Sequence, residues 1–553
     1  MATVVSITQR GNGLTGDVHT VVQRAVHIDG DQHSWHGQFL PRADVTRITT
    51  ATVRFREVYA RVQRAGSIDA GKARAVKGLV VVANRLPVEI GADGELNPSP
   101  GGLASALSSV TAAGAHWVGW GGPDARHARP FSHGELRLHP VHLSAGDVDK
   151  YYRGFANAIL WPLFHGRLRR VELNRSWWQS YRTVNRQFAA AVAQAAPLGG
   201  MVWVHDYHLL LAPAMIRDRR PDLRVGLFLH IPFPNAQLFA MLPWRREVIE
   251  GMLGADVLGF QVPEDADNFI AAAKRVIDPR VLGNTIHHDS HTVDVDSFPI
   301  SVDFAHWDEL GRRRAEAART KRKELDSDFV LLGIDRLDYT KGISQRLRAF
   351  GELLDEDRMD PRRCTFVQVA VPSRSDVPAY EDEREEVEEL IAAINARHRR
   401  ANGSSPIVYL DYSLDEEQLA QWFRTTDALV VTSLADGMNL VAKEFVAARG
   451  DLDGTLILSE FAGAAQDLDD ALIVNPYDIE AIKQAMVVAA AMLPIERAAR
   501  LSSMRETVRH NDVHRWANTF LNRLRSGSPT RNDDFAVRPV NGHAQPALVR
   551  TLP

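Results

Sequence analysis

The segment SLADGMNLVAKEFVAA (433–448) carries two carboxylates eight places apart, Asp436 and Glu444, with Gly437 following the first. A helix is expected to start near Met438–Asn439, so one acid precedes its N-terminus and the other rides along it. The amides of Asn439, Leu440 and Val441 have no intrahelical acceptor at such a start and face any anion held there. Asp436 could then hold a sugar, the amides a diphosphate and Glu444 a ribose. The plainer reading is an Asp N-cap followed by a surface Glu. GIDRLDYTKG (333–342) sets Arg336 and Lys341 around a short strand-to-helix loop. Two cations at that place suit a diphosphate leaving group, whose growing charge they would stabilise. A surface ion-pair cluster is the alternative.

A second group of candidates lies earlier in the chain. GLVVVANRLPVE (78–89) is an apolar strand ending in Asn84-Arg85, and a guanidinium there can grip a phosphate with two parallel hydrogen bonds. A strand-capping surface arginine would look the same. In PSPGGLASALSSV (98–110), Gly101-Gly102 precedes a helical stretch, where bare amides could cradle a diphosphate or simply form a tight turn. WVHDYHLLL (203–211) puts Asp206 between His205 and His208 directly after a strand, placed to accept hydrogen bonds from sugar hydroxyls. Its two histidines could start a metal site, but no further ligand has the spacing. IHHDSH (286–291) invites the same thought and reads more simply as a polar hairpin turn. LFLHIPFPN (227–235) ends a strand at His230, and Pro232 and Pro234 stiffen the loop behind it. A satisfied core histidine is the competing reading.

Something must hold these loops in place. Short runs rich in Val, Ile and Leu recur at Gly78–Ala83, Met201–His205, Val225–His230, Asp256–Val262, Phe329–Ile334, Thr365–Val371, Ile407–Leu410, Ala428–Thr432, Thr455–Ser459 and Ala471–Val474. Helical stretches separate them. Continuous apolarity implies strands buried on both faces, and strand–helix alternation implies repeated βαβ units. Ten such strands predict an α/β protein with two doubly wound parallel-sheet domains facing a central cleft, with ligands at the C-terminal ends of the strands. The expected divisions are an N-terminal extension (1–77), partly mobile, with a helix at Ile48–Gln63; a first domain (78–305), joined by a C-terminal helix (495–525); a second domain (306–494), opening with a charged helix at Asp308–Leu325; and a disordered tail (526–553). The charged run 380–400 reads as a solvated helix face.

Composition narrows the classes. With 553 residues, 65 basic and 69 acidic side chains and a net charge of −4, the chain has no overall footprint for nucleic acid. The only cysteine, Cys364, excludes an internal disulfide and a cysteine zinc site, which suits a reducing cytoplasm. No apolar run approaches the ~20 residues of a membrane span, and the N-terminus lacks the pattern of a signal peptide.

Taken together, NR (84–85), GGL (101–103), YYRGFANAILWPLFH (151–165), WVHDYHLLL, FLHIPFP (228–234), RLDYTKG (336–342), SRSDV (373–377), DGMNLVAKE (436–444), SEFAGAA (459–465) and NPYD (475–478) resemble the trehalose-6-phosphate synthases. These are retaining glycosyltransferases of GT-B architecture in glycosyltransferase family 20, and the resemblance runs from about Gly78 to about Leu524. It implies transfer of glucose from UDP-, ADP- or GDP-glucose to glucose 6-phosphate, with no metal or cofactor. It implies acceptor contacts from Arg85, Tyr152, Asp206 and Arg374, with the two arginines on the phosphate. It implies donor contacts from Gly101, Gly102, Arg336, Lys341, Asp436 and Glu444, completed by the backbone at Leu414, Asn439, Leu440 and Val441. Trp161 and His230 match positions that select the α-anomer, and Arg336, Lys341, Asp436 and His230 those nearest the chemistry. Leu414 stands where relatives can carry an aromatic residue, and a backbone contact survives that change. A cytoplasmic homo-oligomer, of tetrameric size, and a role in osmoprotection are implied by the same resemblance. Other sugar-phosphate synthases, a C–N coupling pseudo-glycosyltransferase and a silent sugar-phosphate sensor are the competing functions.

Overall fold

The computed structural model describes residues 78–526 apart from 92, 100–106, 108–113, 126–127, 168–171, 290 and 374–377. The extension with its expected helix at Ile48–Gln63, the tail beyond Ser526, Gly101, Gly102 and Arg374 all lie outside these residues. All described residues belong to one unit, Asp69–Pro553.

Two sheets carry the fold. The first runs, edge to edge, Arg280–Leu282, Thr285–His288, His291–Ser297, Val257–Phe260, Arg224–Phe228, Met201–His205, Leu79–Arg85, His116–Trp120, Leu136–Val141 and Phe131–His133. Its central strands are parallel and its edges are closed by antiparallel pairs. It is therefore mixed rather than wholly parallel. The second sheet is parallel throughout, in the order Ile407–Leu410, Cys364–Val371, Phe329–Arg336, Ala428–Val431, Thr455–Ser459, Leu472–Val474.

The strand order says where ligands can sit. In the first sheet the chain builds one way from Leu79–Arg85 and then returns to build the other way from Met201–His205, its neighbour. The second sheet reverses in the same manner between Phe329–Arg336 and Ala428–Val431. At such a reversal the connecting helices leave on opposite faces, and a crevice opens beyond the strand ends. Arg85, Asp206 and Arg336 stand at or just past those ends.

Most of each sheet is sealed by aliphatic side chains, as two-sided burial requires: Leu79–Val82, Val202–Val204 and Val330–Leu332 are essentially inaccessible. One apolar cluster spans both sheets, from Trp203 and Phe228 through Phe298 and Trp307 to Leu332 and Phe445. The helix Val513–Ser526 lays Trp516 and Phe520 on Trp203, with ring centroids 5.0 Å apart in each case. The single helix expected over 495–525 is in fact two, Pro494–His510 and Val513–Ser526. Asp512 breaks it, because its side chain accepts the Arg515 amide at 2.8 Å and starts the second helix. Likewise 308–325 divides at Arg314 into Phe304–Arg313, capped by Asp303, and Ala315–Leu325. Segment 286–291 is the hairpin between Thr285–His288 and His291–Ser297. Among the described residues no helix is long and apolar enough to cross a membrane, and no group of three or more His, Cys, Asp or Glu is placed to hold a metal.

Candidate active site

Arg85 closes its strand at a register shift between Val82 and Arg85, which turns the residue away from the flat ladder. Its carbonyl accepts the Trp117 indole N–H at 3.1 Å. The guanidinium then lies over two rings, 4.7 Å from the Trp120 centroid and 5.7 Å from that of Tyr152. Tyr152 comes from the helix Val148–Leu160, which is wound wider than an α-helix: at its end the Trp161 amide reaches back five residues to Ala156. His208 stacks on Tyr152 with ring centroids 5.6 Å apart. Two rings flank an arginine whose nearest carboxylate oxygen among the described residues, on Glu89, stands 3.9 Å away.

Asp206 follows the next strand with φ 73° and ψ 171°, a region that side chains other than hydrogen avoid. The strain has a visible use. Its amide keeps pairing with the Phe228 carbonyl at 2.8 Å, while its carboxylate accepts the His230 amide at 3.2 Å. His230 is joined to His205 by a 3.0 Å contact between Nε2 and Nδ1. Burial pushes His230 down to about 3 and His205 well below the ordinary imidazole value, and the His230 ring adds to the effect on His205. Both rings are therefore neutral, as two facing histidines must be.

The second sheet supplies the cations. Arg336 ends its strand exposed, its guanidinium 5.5 Å from the Trp161 ring centroid. Among the described residues no carboxylate pairs with it. Lys341 differs: its Nζ lies 2.6 Å from Asp436 Oδ2, which also accepts from Ser433 and Asn439 at 3.1 Å each. Burial alone would raise the Asp436 carboxyl, but the Lys341 charge and hydrogen bond, then Asn439, hold it below the ordinary value. Arg336 is thus the uncommitted cation and Lys341 the committed one, a division that spacing in the sequence does not reveal.

A buried arginine holds this loop. Arg346 donates to Asp335 at 2.7 Å, to Gln368 at 2.9 Å and to Thr432 at 3.3 Å, and its Nη1 lies 3.5 Å from the Lys341 carbonyl. It therefore ties the residue before Arg336 to Lys341 itself. Gly342 is also obligatory, since at φ 62° a Cβ would sit 2.1 Å from the Thr432 carbonyl oxygen.

The helix Leu440–Ala448 starts where expected, but its cap is Asn439 rather than Asp436. The Asn439 side chain accepts from the Ala442 amide at 3.0 Å. That leaves the amides of Leu440 and Val441 outside the helical ladder. Asp436 is freed for Lys341. Glu444, half-buried on the same helix, has its carboxyl pushed up to about 8 by burial and, second, by the charge of Glu416. Gly437 lets the two halves meet: a Cβ there would lie 2.1 Å from the His230 carbonyl oxygen.

These groups share one cleft of about 290 Å³, lined by Arg85, Tyr152, Trp161, Asp206 and His230 from the first sheet's side and Arg336, Lys341 and Asp436 from the second's. Leu414, Asn439, Leu440, Val441 and Glu444 do not line it, although Asn439 touches Asp436, which does. Sequence reasoning passed over His165, which also lines the cleft, and the Arg346 scaffold. The signal for His165 was its place four residues after Trp161, one helical turn along.

Two doubly wound sheets meeting at their strand ends around one cleft define a GT-B glycosyltransferase architecture. The sequence profile of glycosyltransferase family 20 matches residues 77–526, and the chain belongs to that family. A trehalose-6-phosphate synthase of Mycolicibacterium gilvum is 44% identical over 495 residues, covering 85% of this chain and 98% of that protein. One from Mycolicibacterium vanbaalenii is 46% identical over 475 residues, covering 81% and 96%. Among solved structures, an alpha,alpha-trehalose-phosphate synthase (UDP-forming) from Burkholderia xenovorans, in complex with glucose-6-phosphate, superposes with a TM-score of 0.76 at 36% identity, covering 81% of this chain and 99% of that one. A trehalose-6-phosphate protein from E. coli bound with UDP-2-fluoro glucose gives 0.74 at 33%, covering 82% and 100%.

Proposed function

We propose that the protein transfers glucose from a nucleotide-glucose to glucose 6-phosphate with retention, giving α,α-trehalose 6-phosphate and a nucleoside diphosphate. The observation that carries this reading is one cleft with aromatic-clamped Arg85 on one wall and, on the other, Arg336, which no carboxylate pairs with among the described residues. One guanidinium suits a phosphate monoester and the other a departing diphosphate. The names of the relatives support the same pair of substrates, and the UDP donor in two of them favours UDP-glucose here.

In this scheme Arg85, Tyr152 and Asp206 hold the acceptor, with Arg374 as second phosphate ligand. Arg336, Lys341 and the amides at 439–441 neutralise the leaving diphosphate, and Gly101 and Gly102 flank it. Glu444 takes the ribose, and the Leu414 backbone lies against the nucleotide. Trp161 and His230 shape the space at the reacting carbon. The acceptor hydroxyl attacks from the face the nucleotide leaves, and its proton passes to the departing phosphate oxygen. The bond from glucose C1 to the diphosphate breaks as the new C1–O bond forms. Positioning and charge stabilisation supply the catalysis, each removal of a leaving-group cation costing on the order of 10²–10³ in rate.

We read the setting as cytoplasmic trehalose biosynthesis, with osmoprotection as its use, and the assembly as a homo-oligomer of tetrameric size. The assembly rests on family resemblance and is read out by light scattering. The functional test is product analysis after incubating glucose 6-phosphate with UDP-, ADP- and GDP-glucose in turn. Trehalose 6-phosphate and nucleoside diphosphate in equal amounts is the expected result. Nucleotide release without a disaccharide phosphate, or coupling only with an aminocyclitol phosphate, rejects it.

A further inference from the structure

His165 lines the cleft, and the scheme gives it no task. It follows the short helix Trp161–Phe164, and the four-residue spacing folds its ring against the Trp161 indole with centroids 4.1 Å apart. Nδ1 lies 2.7 Å from the Trp161 carbonyl oxygen. A carbonyl can only accept, so Nδ1 carries the hydrogen and Nε2 is left with a bare lone pair. Burial brings the ring's pKa down to about 4, against the raising effect of that carbonyl, so the imidazole is neutral at physiological pH.

The residue is 6% exposed and lines the cleft beside Lys341 and Asp436. Among the described residues nothing donates to Nε2. Nε2 is therefore open to accept from a ligand hydroxyl that enters the cleft. His165 stands on the Trp161 wall, but it faces the leaving-group cations: Arg336 comes over the Trp161 ring, and the charges of Lys341 and Asp436 reach the imidazole. A hydroxyl arriving there belongs to the sugar attached to the departing diphosphate.

We propose that His165 Nε2 accepts a hydrogen bond from a hydroxyl of the glucose being transferred, which makes His165 a specificity-determining residue for the donor sugar. The inference rests on the glucosyl-transfer reading above. A purely structural histidine would matter only through its bond to Trp161, and two substitutions separate these roles. In His165→Asn the carboxamide nitrogen falls near the former Nδ1 and can still donate to the Trp161 carbonyl, but nothing reaches the Nε2 position. In His165→Gln the carboxamide reaches the Nε2 position instead.

The experiment measures kcat/KM for UDP-glucose and for its 2-, 3-, 4- and 6-deoxy forms at saturating glucose 6-phosphate. Wild-type turnover with UDP-glucose tests the functional reading by itself, and its failure is visible before any variant is made. We expect His165→Asn to lose roughly 10- to 100-fold in kcat/KM for the donor, with the KM for glucose 6-phosphate nearly unchanged. One deoxy donor should cost the wild type a similar factor and cost the variant little, because the lost partner is the same. His165→Gln should recover part of the loss. The proposal is overturned if His165→Asn keeps wild-type kcat/KM, or if every deoxy donor penalises the variant as heavily as the wild type. A wild type that uses all four deoxy donors as well as UDP-glucose overturns it without any variant.

Discussion

Asp206 holds a backbone conformation at φ 73° and ψ 171° that is close to glycine-only territory. Such a residue stores about 1–3 kcal/mol of strain. Two substitutions read that strain directly. Asp206→Ala removes the carboxylate and its 3.2 Å bond to the His230 amide but keeps the strain; Asp206→Gly removes both. The lost hydrogen bond is common to the pair and cancels in their difference. Glycine's larger entropy loss on folding takes back about 0.5–1 kcal/mol. The Gly variant should therefore be the more stable by about 1 kcal/mol at mid-range, within a span of about 0–2.5 kcal/mol, the reverse of the usual Ala–Gly order in regular structure. Thermal midpoints in one buffer give the comparison, and glucose 6-phosphate kinetics should show both variants impaired. An Asp206→Ala protein more stable than Asp206→Gly would refute the claim that the cleft stores strain at this residue.

Arg336→Ala should lower kcat by on the order of 10²–10³, because it removes a cleft cation that, among the described residues, no carboxylate neutralises; steady-state kinetics check this. Gly437→Ala should cost about 1–3 kcal/mol of stability and most activity, since its Cβ would press within 2.1 Å of the His230 carbonyl oxygen; calorimetry and turnover report together. The neutral His205–His230 pair gives a pH signature. Their folded pKa values lie below the unfolded value of about 6.5, so the unfolded chain binds more protons under acid. Their contribution to stability is complete above pH ~6.5 and is lost progressively as pH falls toward the folded value of about 3. Unfolding midpoints between pH 7 and 4 follow it, and a replacement of both rings by Asn should flatten the decline.

Much of this cleft is written in local chemistry. The strands that carry Arg85, Asp206, His230 and Arg336 are continuous apolar runs, and each candidate stands where its run ends, so periodicity alone places them at a sheet mouth. Strands outside those runs were harder to see. His116–Trp120, Leu136–Val141 and His291–Ser297 mix histidine, arginine or aspartate with apolar residues, because one side or end of each meets solvent. The mixed character of the first sheet comes from the antiparallel pairs at its two ends, Arg280–Leu282 with Thr285–His288, Thr285–His288 with His291–Ser297, and Phe131–His133 with Leu136–Val141. Features made by tertiary contact had no sequence signal at all. The Arg346–Asp335–Gln368 network joins positions 11 and 22 apart, and its members look like ordinary helix and strand residues. The commitment of Lys341 to Asp436 spans 95 positions, and the close approach of Gly437 to His230 depends on how the two sheets meet. A helix broken by Asp512 reads as continuous because capping residues also occur inside charged helices.

The central claim is a division of labour across one cleft, with Arg85 capturing a phosphate monoester opposite the site of nucleotide departure. The measurement that bears on it most directly is the ratio of nucleoside-diphosphate release with glucose 6-phosphate to that with glucose, in the wild type and in Arg85→Ala. The wild type should prefer the phosphorylated acceptor strongly, and the variant should lose most of that preference through a higher KM while kcat stays near its original value. An Arg85→Ala enzyme that discriminates between the two acceptors as well as the wild type would contradict the account.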